Sequence, residues 1–453
     1  MIVMKFGGTS VANCEAITRT IGIVQNRLEE KPIVVVSALS KVTDLLYRVS
    51  DEAKKCHPQQ ALAHVETLRE RHIHLLGQLL DEGSQLEIAK KGINAICDDL
   101  SILVRAVCML GELTPRSQAK IIGTGEILSS TVIWHAMNQR GIRTSWIDAR
   151  RMIITDNDYL KGKPIIPEIE QRVPVEIDKN YKGKDAVITQ GFIASTIDGQ
   201  PTVLGRGGSD YTASLIGMAI NASAIEIWTD VDGVRTADPR RVPNTMSIER
   251  LSFEEAAEMA HFGAKVLHPL TIEPAIAKNI PVYVLNSTNP LSRGTAILQS
   301  DQIDDGIKSI SFKENIYLLN IFSTGMIEVS GFLSKVFKIF ADSNVSVDLI
   351  STSEANISIT IDSSQQIDHV VELLSEFATV KVHTDKAQVS IIGKNVAMQR
   401  GLMRWAMSSF NNIDIYMISQ GTSLVNISYV IDRVNLDEVL QELHKYLFEY
   451  QSL

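Results

Sequence analysis

The chain has 453 residues, 45% hydrophobic and 21% charged, with a formal net charge of −9 at pH 7. That length exceeds one ordinary hydrophobic core and implies two or three domains. The acidic balance argues against a nucleic-acid binder, and no apolar run approaches the ~20 residues of a membrane span.

Residues 2–6 (Ile-Val-Met-Lys-Phe) read as a buried strand, and Gly7-Gly8-Thr9-Ser10 turns the chain into a helix over residues 13–28, with Ile17, Ile21, Val24 and Leu28 on one face. Pro32 opens a second strand, 33–36, which runs into Ser37-Ala38-Leu39-Ser40-Lys41-Val42-Thr43. From there to about residue 118 the pattern is mostly helical, long for a crossover. Strand-like runs return at 186–189, 202–204, 225–228 and 282–285. Strands apolar throughout, alternating with helices, predict a mainly parallel α/β sheet covered on both faces. The four cysteines, Cys14, Cys56, Cys97 and Cys108, have neither close pairing nor metal-type spacing. With no cleavage signal at the start, a cytoplasmic protein with no membrane partner is expected.

After Asn289-Pro290 the texture changes, and a polar stretch, 299–306, reads as a linker. Beyond it lies a diverged repeat: Asn344-Val345-Ser346-Val347-Asp348-Leu349-Ile350-Ser351 returns as Asn412-Ile413-Asp414-Ile415-Tyr416-Met417-Ile418-Ser419. A helix precedes each copy, and an alternating strand ending in Ile-Asp, then another helix, follows it. With strands at 317–321 and 389–392 ahead of them, each unit reads β-α-β-β-α, a ferredoxin-like order. The first unit has a closing strand at 380–382, and the second lacks one. Residues 307–312 are expected to supply it, which would place the first unit inside the second.

The densest chemistry lies where residues 201–204 meet Gly205-Arg206-Gly207-Gly208-Ser209-Asp210 and a helix begins. Glycines let a backbone approach a ligand, and a helix start offers unpaired N–H groups to an anion. Such a turn is expected at the end of a strand of the open sheet, with Arg206 and Asp210 bracketing it. Lys5, in an apolar strand before a glycine pair, needs an anion. That anion is either a salt-bridge partner such as Asp210 or a ligand phosphate. Glu126, before a helix, is either a favourable first-turn charge or a carboxylate for a substrate ammonium. Residues 228–234 and Asp238-Pro239-Arg240 form a solvated acidic turn or hold a nucleotide. Ser252-Phe253-Glu254-Glu255 is a capping box opening a helix to about residue 262, and Lys265 stands at or past its end. His261, His268, His72 and His74 read as structural, so no metal site of protein ligands is expected. No P-loop, protein-kinase signature, dinucleotide turn or nucleophile elbow is present, so phosphate would be handled by another glycine-rich architecture.

Taken in order, Val3-Met4-Lys5-Phe6-Gly7-Gly8-Thr9-Ser10-Val11, Ile188-Thr189-Gln190-Gly191-Phe192-Ile193, residues 204–210, residues 227–233 and Phe262-Gly263-Ala264-Lys265-Val266-Leu267-His268-Pro269 resemble the signature blocks of aspartokinases. The C-terminal duplication is similar to that family's paired ACT regulatory domains. The likeness spans nearly the whole chain and is to the monofunctional, lysine-sensitive type, so a fused homoserine dehydrogenase is not expected.

The resemblance implies an α/β amino-acid-kinase fold over residues 1–295 and a linker at 296–306. A first ferredoxin-like βαββαβ ACT domain would follow at 313–385, and a second would combine 307–312 with 386–453. It implies transfer of the γ-phosphate of ATP, with Mg²⁺, to the β-carboxylate of L-aspartate, giving 4-phospho-L-aspartate at the head of lysine, threonine and methionine biosynthesis. Lys5, Gly8 and Asp210 would be catalytic; Ser37, Thr43, Glu126, Arg206 and Ser209 would bind aspartate. Lys5, Gly7, Gly8, Thr229, Asp230, Arg235, Arg240 and Lys265 would contact ATP. Met326, Val329, Phe332, Leu333, Val347, Asp348, Ser353 and Glu354 would form an effector pocket, with Asp348 and Glu354 pairing with the ammonium of lysine. A homodimer or homotetramer through the ACT domains is implied. Arg235 stands where relatives often carry tyrosine, and Val329 where lysine-sensitive relatives often carry a polar residue. The alternatives are an inactive amino-acid sensor and a relative acting on another acid, such as glutamate or its acetyl derivative.

Overall fold

The opening strand β1 (Ile2–Phe6) is buried along its whole length because it lies in the middle of a sheet. The computed structural model describes residues 1–263, 269–323, 330–363, 365–421 and 424–449, with the backbone alone for 269 and 270. These fall into two units, Met1–Val234 with Leu267–Gln299, and Arg235–Val266 with Ser300–Leu453.

In the first unit, Asn13 caps helix α1 (Cys14–Gln25) by accepting the Ala16 N–H at 2.9 Å, and β2 (Pro32–Val36) follows. The long helical stretch breaks into α2 (Val42–Lys54), α3 (Pro58–Leu79), α4 (Ser84–Leu110) and α5 (Pro115–Ile122). Pro58 and Pro115 sit in first turns, where a missing N–H costs nothing, and a left-handed Gly111 ends α4. Next come α6 (Thr124–Gln139), β3 (Thr144–Ile147), β4 (Ile154–Thr155), α7 (Ile166–Tyr181), β5 (Ala186–Gln190), β6 (Ile193–Thr196), β7 (Pro201–Val203), α8 (Gly208–Ala219) and β8 (Ala224–Thr229). The chain then makes β9 (Arg250–Ser252) and α9 (Phe253–His261) of the second unit. It returns to the first with α10 (Pro269–Ala277), β10 (Val282–Asn286) and β11 (Thr295–Leu298).

The first unit's strands run β3-β5-β2-β1-β8-β10-β11, parallel except for the β10–β11 pair. Burial on both faces is why they read as unbroken apolar runs. One expectation is corrected. β7 is not in this sheet; it pairs antiparallel with β6 in a small sheet, β4-β6-β7. The glycine turn at 205–208 therefore follows a strand of the minor sheet.

In the second unit, β12 (Gly306–Phe322) and β15 (Thr379–Lys394) are long and continuous. Each joins two runs that read as separate strands in the sequence. Between them lie α11 (Phe332–Asp342), β13 (Ile350–Thr352), β14 (Asn356–Asp362) and α12 (Asp368–Ser375); beyond them, α13 (Leu402–Ser408), β16 (Ile415–Gln420), β17 (Asn426–Asp432) and α14 (Leu436–His444). The antiparallel sheet runs β13-β14-β12-β15-β17-β16. Gly306 to Lys313 of β12 pair with Lys394 to Gln388, and Ile316 to Phe322 pair with Lys386 to Thr379 and with β14. Two cores result: Val336, Phe340, Val370 and Leu374 under α11 and α12, and Ala406, Leu436, Leu440 and Leu443 under α13 and α14. Ala237 and Val242 bury themselves in the second core, which makes the segment after Val234 part of this unit.

Candidate active site

Parallel register brings several turns to one sheet edge. Phe6 lies between Val36 and Trp228, and Val36 pairs with Gln190, so the chain after β1, β2, β8 and β5 emerges together. The Gly7 N–H donates to the Trp228 carbonyl at 3.1 Å, and Ser40 N–H to the Gly8 carbonyl at 3.1 Å. A Cβ on Gly8 would stand 3.0 Å from the Ala38 carbonyl oxygen, so glycine is what lets these two turns meet. Gly191 plays the same part toward α8: a Cβ there would fall 2.5 Å from Ser209 Cβ. The start of α8, with its unpaired N–H groups, is thereby seated against the end of β5.

These turns enclose a cavity of about 330 Å³ lined by Lys5, Gly8, Ser37, Thr43, Glu126, Ser209 and Asp210, among others. Lys5 is 8% exposed, and its Nζ pairs with Asp210 Oδ1 at 2.6 Å. The salt bridge and the phosphate-facing reading are thus compatible, since an ammonium has three donors and Asp210 takes one. Glu126 lies in the first turn of α6, and its Oε1 accepts the Ala38 N–H at 3.4 Å. Among the described residues its Oε2 has no partner, and burial pushes its pKa up to about 8. Such an oxygen in a cavity calls for a donor from a ligand. At the end of β8, the Thr229 carbonyl accepts from Ser287 N–H at 2.8 Å and Ser287 Oγ at 2.9 Å, leaving the Thr229 hydroxyl to donate to Asp230 Oδ1 at 3.2 Å. Arg206, in the glycine turn, is exposed.

Other expected residues are not among the described residues that line this cavity. Arg235 and Arg240 belong to the second unit. The Arg235 guanidinium donates to Thr245 Oγ1 at 2.7 Å, and Arg240 pairs with Asp238, whose carboxyl is held below its usual pKa by that contact. Lys265, His268, Met326 and Val329 lie outside the described residues. Phe332 packs edge-on against Phe377 with centroids 5.6 Å apart, while Leu333, Ser353 and Glu354 are exposed and Val347 is half-buried. Asp348 carries a lysine of this chain already: Lys313 Nζ lies 2.6 Å from its Oδ2. His72 is buried, its Nδ1 against the Leu68 carbonyl, and His261 lies 3.8 Å from Asp348. Sequence reasoning missed Phe192, a bulky residue with φ +67° that lines the cavity. Its side chain gave no signal, because the strain belongs to the β5–β6 turn.

A parallel sheet with phosphate-suited glycine turns at one edge, followed by two βαββα units, defines an amino acid kinase domain with ACT regulatory domains. Residues 1–286 match the amino acid kinase family, and residues 319–377 and 389–447 match the ACT domain. Aspartokinase 1, chloroplastic, of Arabidopsis thaliana is 36% identical, over all of this chain and 81% of its own length. Lysine-sensitive aspartokinase 3 of Escherichia coli is 32% identical over 99% of both chains. The structure of E. coli aspartokinase III with aspartate and ADP aligns over 99% of this chain and 100% of its own, with a TM-score of 0.86; its complex with lysine and aspartate gives 0.79 over 99% of both chains. The chain belongs to the aspartokinase family, and it is an enzyme.

Proposed function

We propose that this protein transfers the γ-phosphate of ATP to the β-carboxylate of L-aspartate, giving 4-phospho-L-aspartate for lysine, threonine and methionine biosynthesis. The observation that carries the reading is the unpartnered Glu126 oxygen beside the Lys5–Asp210 pair in one cavity. Glu126 takes the α-ammonium of aspartate and Arg206 its α-carboxylate, with Ser37, Thr43 and Ser209 completing the pocket. The β-carboxylate is already ionised, so the step needs no strong base; it needs positioning and neutralisation of charge. Lys5 supplies a cation to the moving phosphoryl group, and Gly7, Gly8 and the start of α8 supply N–H donors. Thr229, Asp230, Arg235, Arg240 and Lys265 contact the nucleotide. Arg235 does so through its guanidinium or backbone, since it offers no ring for stacking.

Asp210, an acidic group lining the cavity at the glycine turn, would hold Mg²⁺. When bound, the ion spreads the charge of the β- and γ-phosphates.

Regulation by lysine is supported by the sensitivity named for the E. coli relative and by acidic Asp348 and Glu354 in the ACT portion. Lysine must then displace Lys313 from Asp348 or share that carboxylate with it. The division into a kinase domain at 1–295, an ACT domain at 313–385 and a second at 307–312 plus 386–453 is supported by the split pairing of β12 and β15. The segment around Ala237 and Val242 departs from it by packing with the ACT portion. Exposed Ile350, Tyr416 and Ile418 on edge strands β13 and β16 support pairing of ACT units in a homodimer or homotetramer. Free cysteines support a reducing compartment; among the described residues, no helix is long and apolar enough to cross a membrane.

The test is ATP- and Mg²⁺-dependent aspartyl hydroxamate formation, with glutamate as control substrate and with or without lysine. Aspartate-dependent product that lysine suppresses is expected. Product from glutamate alone would overturn the substrate, and indifference to lysine would overturn the effector.

A further inference from the structure

Two adjacent arginines in the second unit have opposite fates. Arg240 is exposed and, among the described residues, held by Asp238 of its own turn, whose Oδ1 accepts the Arg240 N–H at 2.9 Å and Nε–H at 3.0 Å. Arg241 is pulled inward by other elements. Its guanidinium pairs with Glu314 on β12 and with Asp437 on α14, and it lies 5.1 Å from the centre of the Phe312 ring. Its carbonyl accepts from Gln441 Nε2 at 3.1 Å.

The rest of the segment is fastened to the same two elements. The Thr236 carbonyl accepts the Ile310 N–H at 2.8 Å, and Thr236 Oγ1 lies 2.9 Å from His444 Nε2. Arg241 and Val242 both return N–H bonds to the Asp238 carbonyl at 3.0 Å, which closes the turn that presents Arg240. The turn and Gly263, just after α9, share a cavity of about 670 Å³ whose lining includes Arg240, Arg241, Phe312 and Glu314. The turn that carries Arg240 thus lies against β12 and α14, with Gly263 beside it. A planar guanidinium satisfied by two carboxylates is a rigid fixing, because both partners must yield before the turn can shift.

We infer that Arg241 is a positioning residue for ATP: through Glu314 and Asp437 it clamps the 236–242 turn to β12 and α14 and so fixes where Arg240 meets the nucleotide. This deepens the kinase reading and rests on the nucleotide contact of Arg240. Glu126, Arg206 and Ser209, proposed for aspartate, are not part of the second unit.

The experiment measures KM for ATP and for aspartate, in full-length protein, for Arg241→Ala, Arg241→Lys, Asp437→Ala and Arg240→Ala. Arg241→Ala is expected to raise KM for ATP about tenfold, the equivalent of one lost charge-assisted contact, and to leave KM for aspartate within about twofold. Asp437→Ala and Arg241→Lys should fall between it and the parent, because each leaves one of the two carboxylate contacts; these two carry the test if Arg241→Ala does not fold. An unchanged KM for ATP while Arg240→Ala raises it would overturn the clamp and leave the kinase reading standing. Equal rises in both KM values would also overturn it, as general loosening. If Arg240→Ala leaves KM for ATP unchanged, the nucleotide contact itself falls, and this inference with it.

Discussion

At the scale of single residues, the site turns on two buried charges that meet opposite needs. Lys5 has its counter-charge in Asp210, which offsets the cost of burying an ammonium in an apolar strand. Lys5→Met keeps the length and removes the charge; it should fold yet lose about 10²- to 10³-fold in kcat, the usual cost of one preorganised charge-stabilising donor. Near-parental kcat in that variant would remove Lys5 from phosphoryl transfer. Glu126 has no counter-charge among the described residues, and its pKa of about 8 against an ordinary 4.5 follows from burial. Between those two values the folded protein keeps a proton that the unfolded chain has released, so stability falls as pH rises from 4.5 to 8, by up to about 1.4 kcal/mol per pH unit. Glu126→Gln should therefore gain in melting temperature over the parent as pH rises through that window, while its KM for aspartate rises on the order of 10²-fold. Parallel melting curves across the window would show that Glu126 is ionised in the free enzyme. The sequence named both residues but left each with two readings. It could not choose between them, because burial and the pairing of residue 5 with residue 210 are products of folding.

At the scale of elements, local chemistry was legible wherever it was carried by neighbours in sequence. The capping box of α9 forms as read: Ser252 Oγ accepts the Glu255 N–H at 3.0 Å, and Glu255 Oε2 accepts the Ser252 N–H at 2.6 Å. Glu255 does more than the motif signals, since its Oε1 also accepts the Lys394 N–H at 2.7 Å at the end of β15. Both oxygens of a fully buried carboxylate are thus satisfied by backbone donors, one from its own helix start and one from the ACT sheet. Ser252→Ala should cost about 1 kcal/mol in denaturant unfolding, as an ordinary cap does. Glu255→Ala should cost more, about 2–4 kcal/mol, because it strands the buried Ser252 N–H and the partly buried Lys394 N–H. Equal losses would mean that the Lys394 contact contributes nothing. Other elements were illegible for physical reasons. Helix α7 carries Pro174 in its interior, β3 is only four residues long, and β7 has an apolar run suited to the main sheet yet pairs with β6. Short apolar runs do not encode which strand they will lie beside.

At the scale of the whole chain, the repeat at 344–351 and 412–419 gave the regulatory portion, and the glycine turns gave the catalytic one. What the sequence by itself determined is whatever spacing along the chain encodes: a buried parallel sheet, capped helices, a duplicated βαββα unit, and a lysine, a glutamate and an aspartate each placed at the edge of a strand or helix. Tertiary structure alone decided that β12 and β15 each run unbroken through two units, because strand continuity depends on cross-strand pairing rather than on composition. It alone decided that the segment around 237–242 packs in the second unit, since Ala237 and Val242 find their apolar partners there. And it alone decided that Asp348 faces Lys313 and Arg241 faces Asp437. Such pairings join residues tens to hundreds of positions apart, and a charge in a sequence does not say which of its many opposites folding will bring within reach.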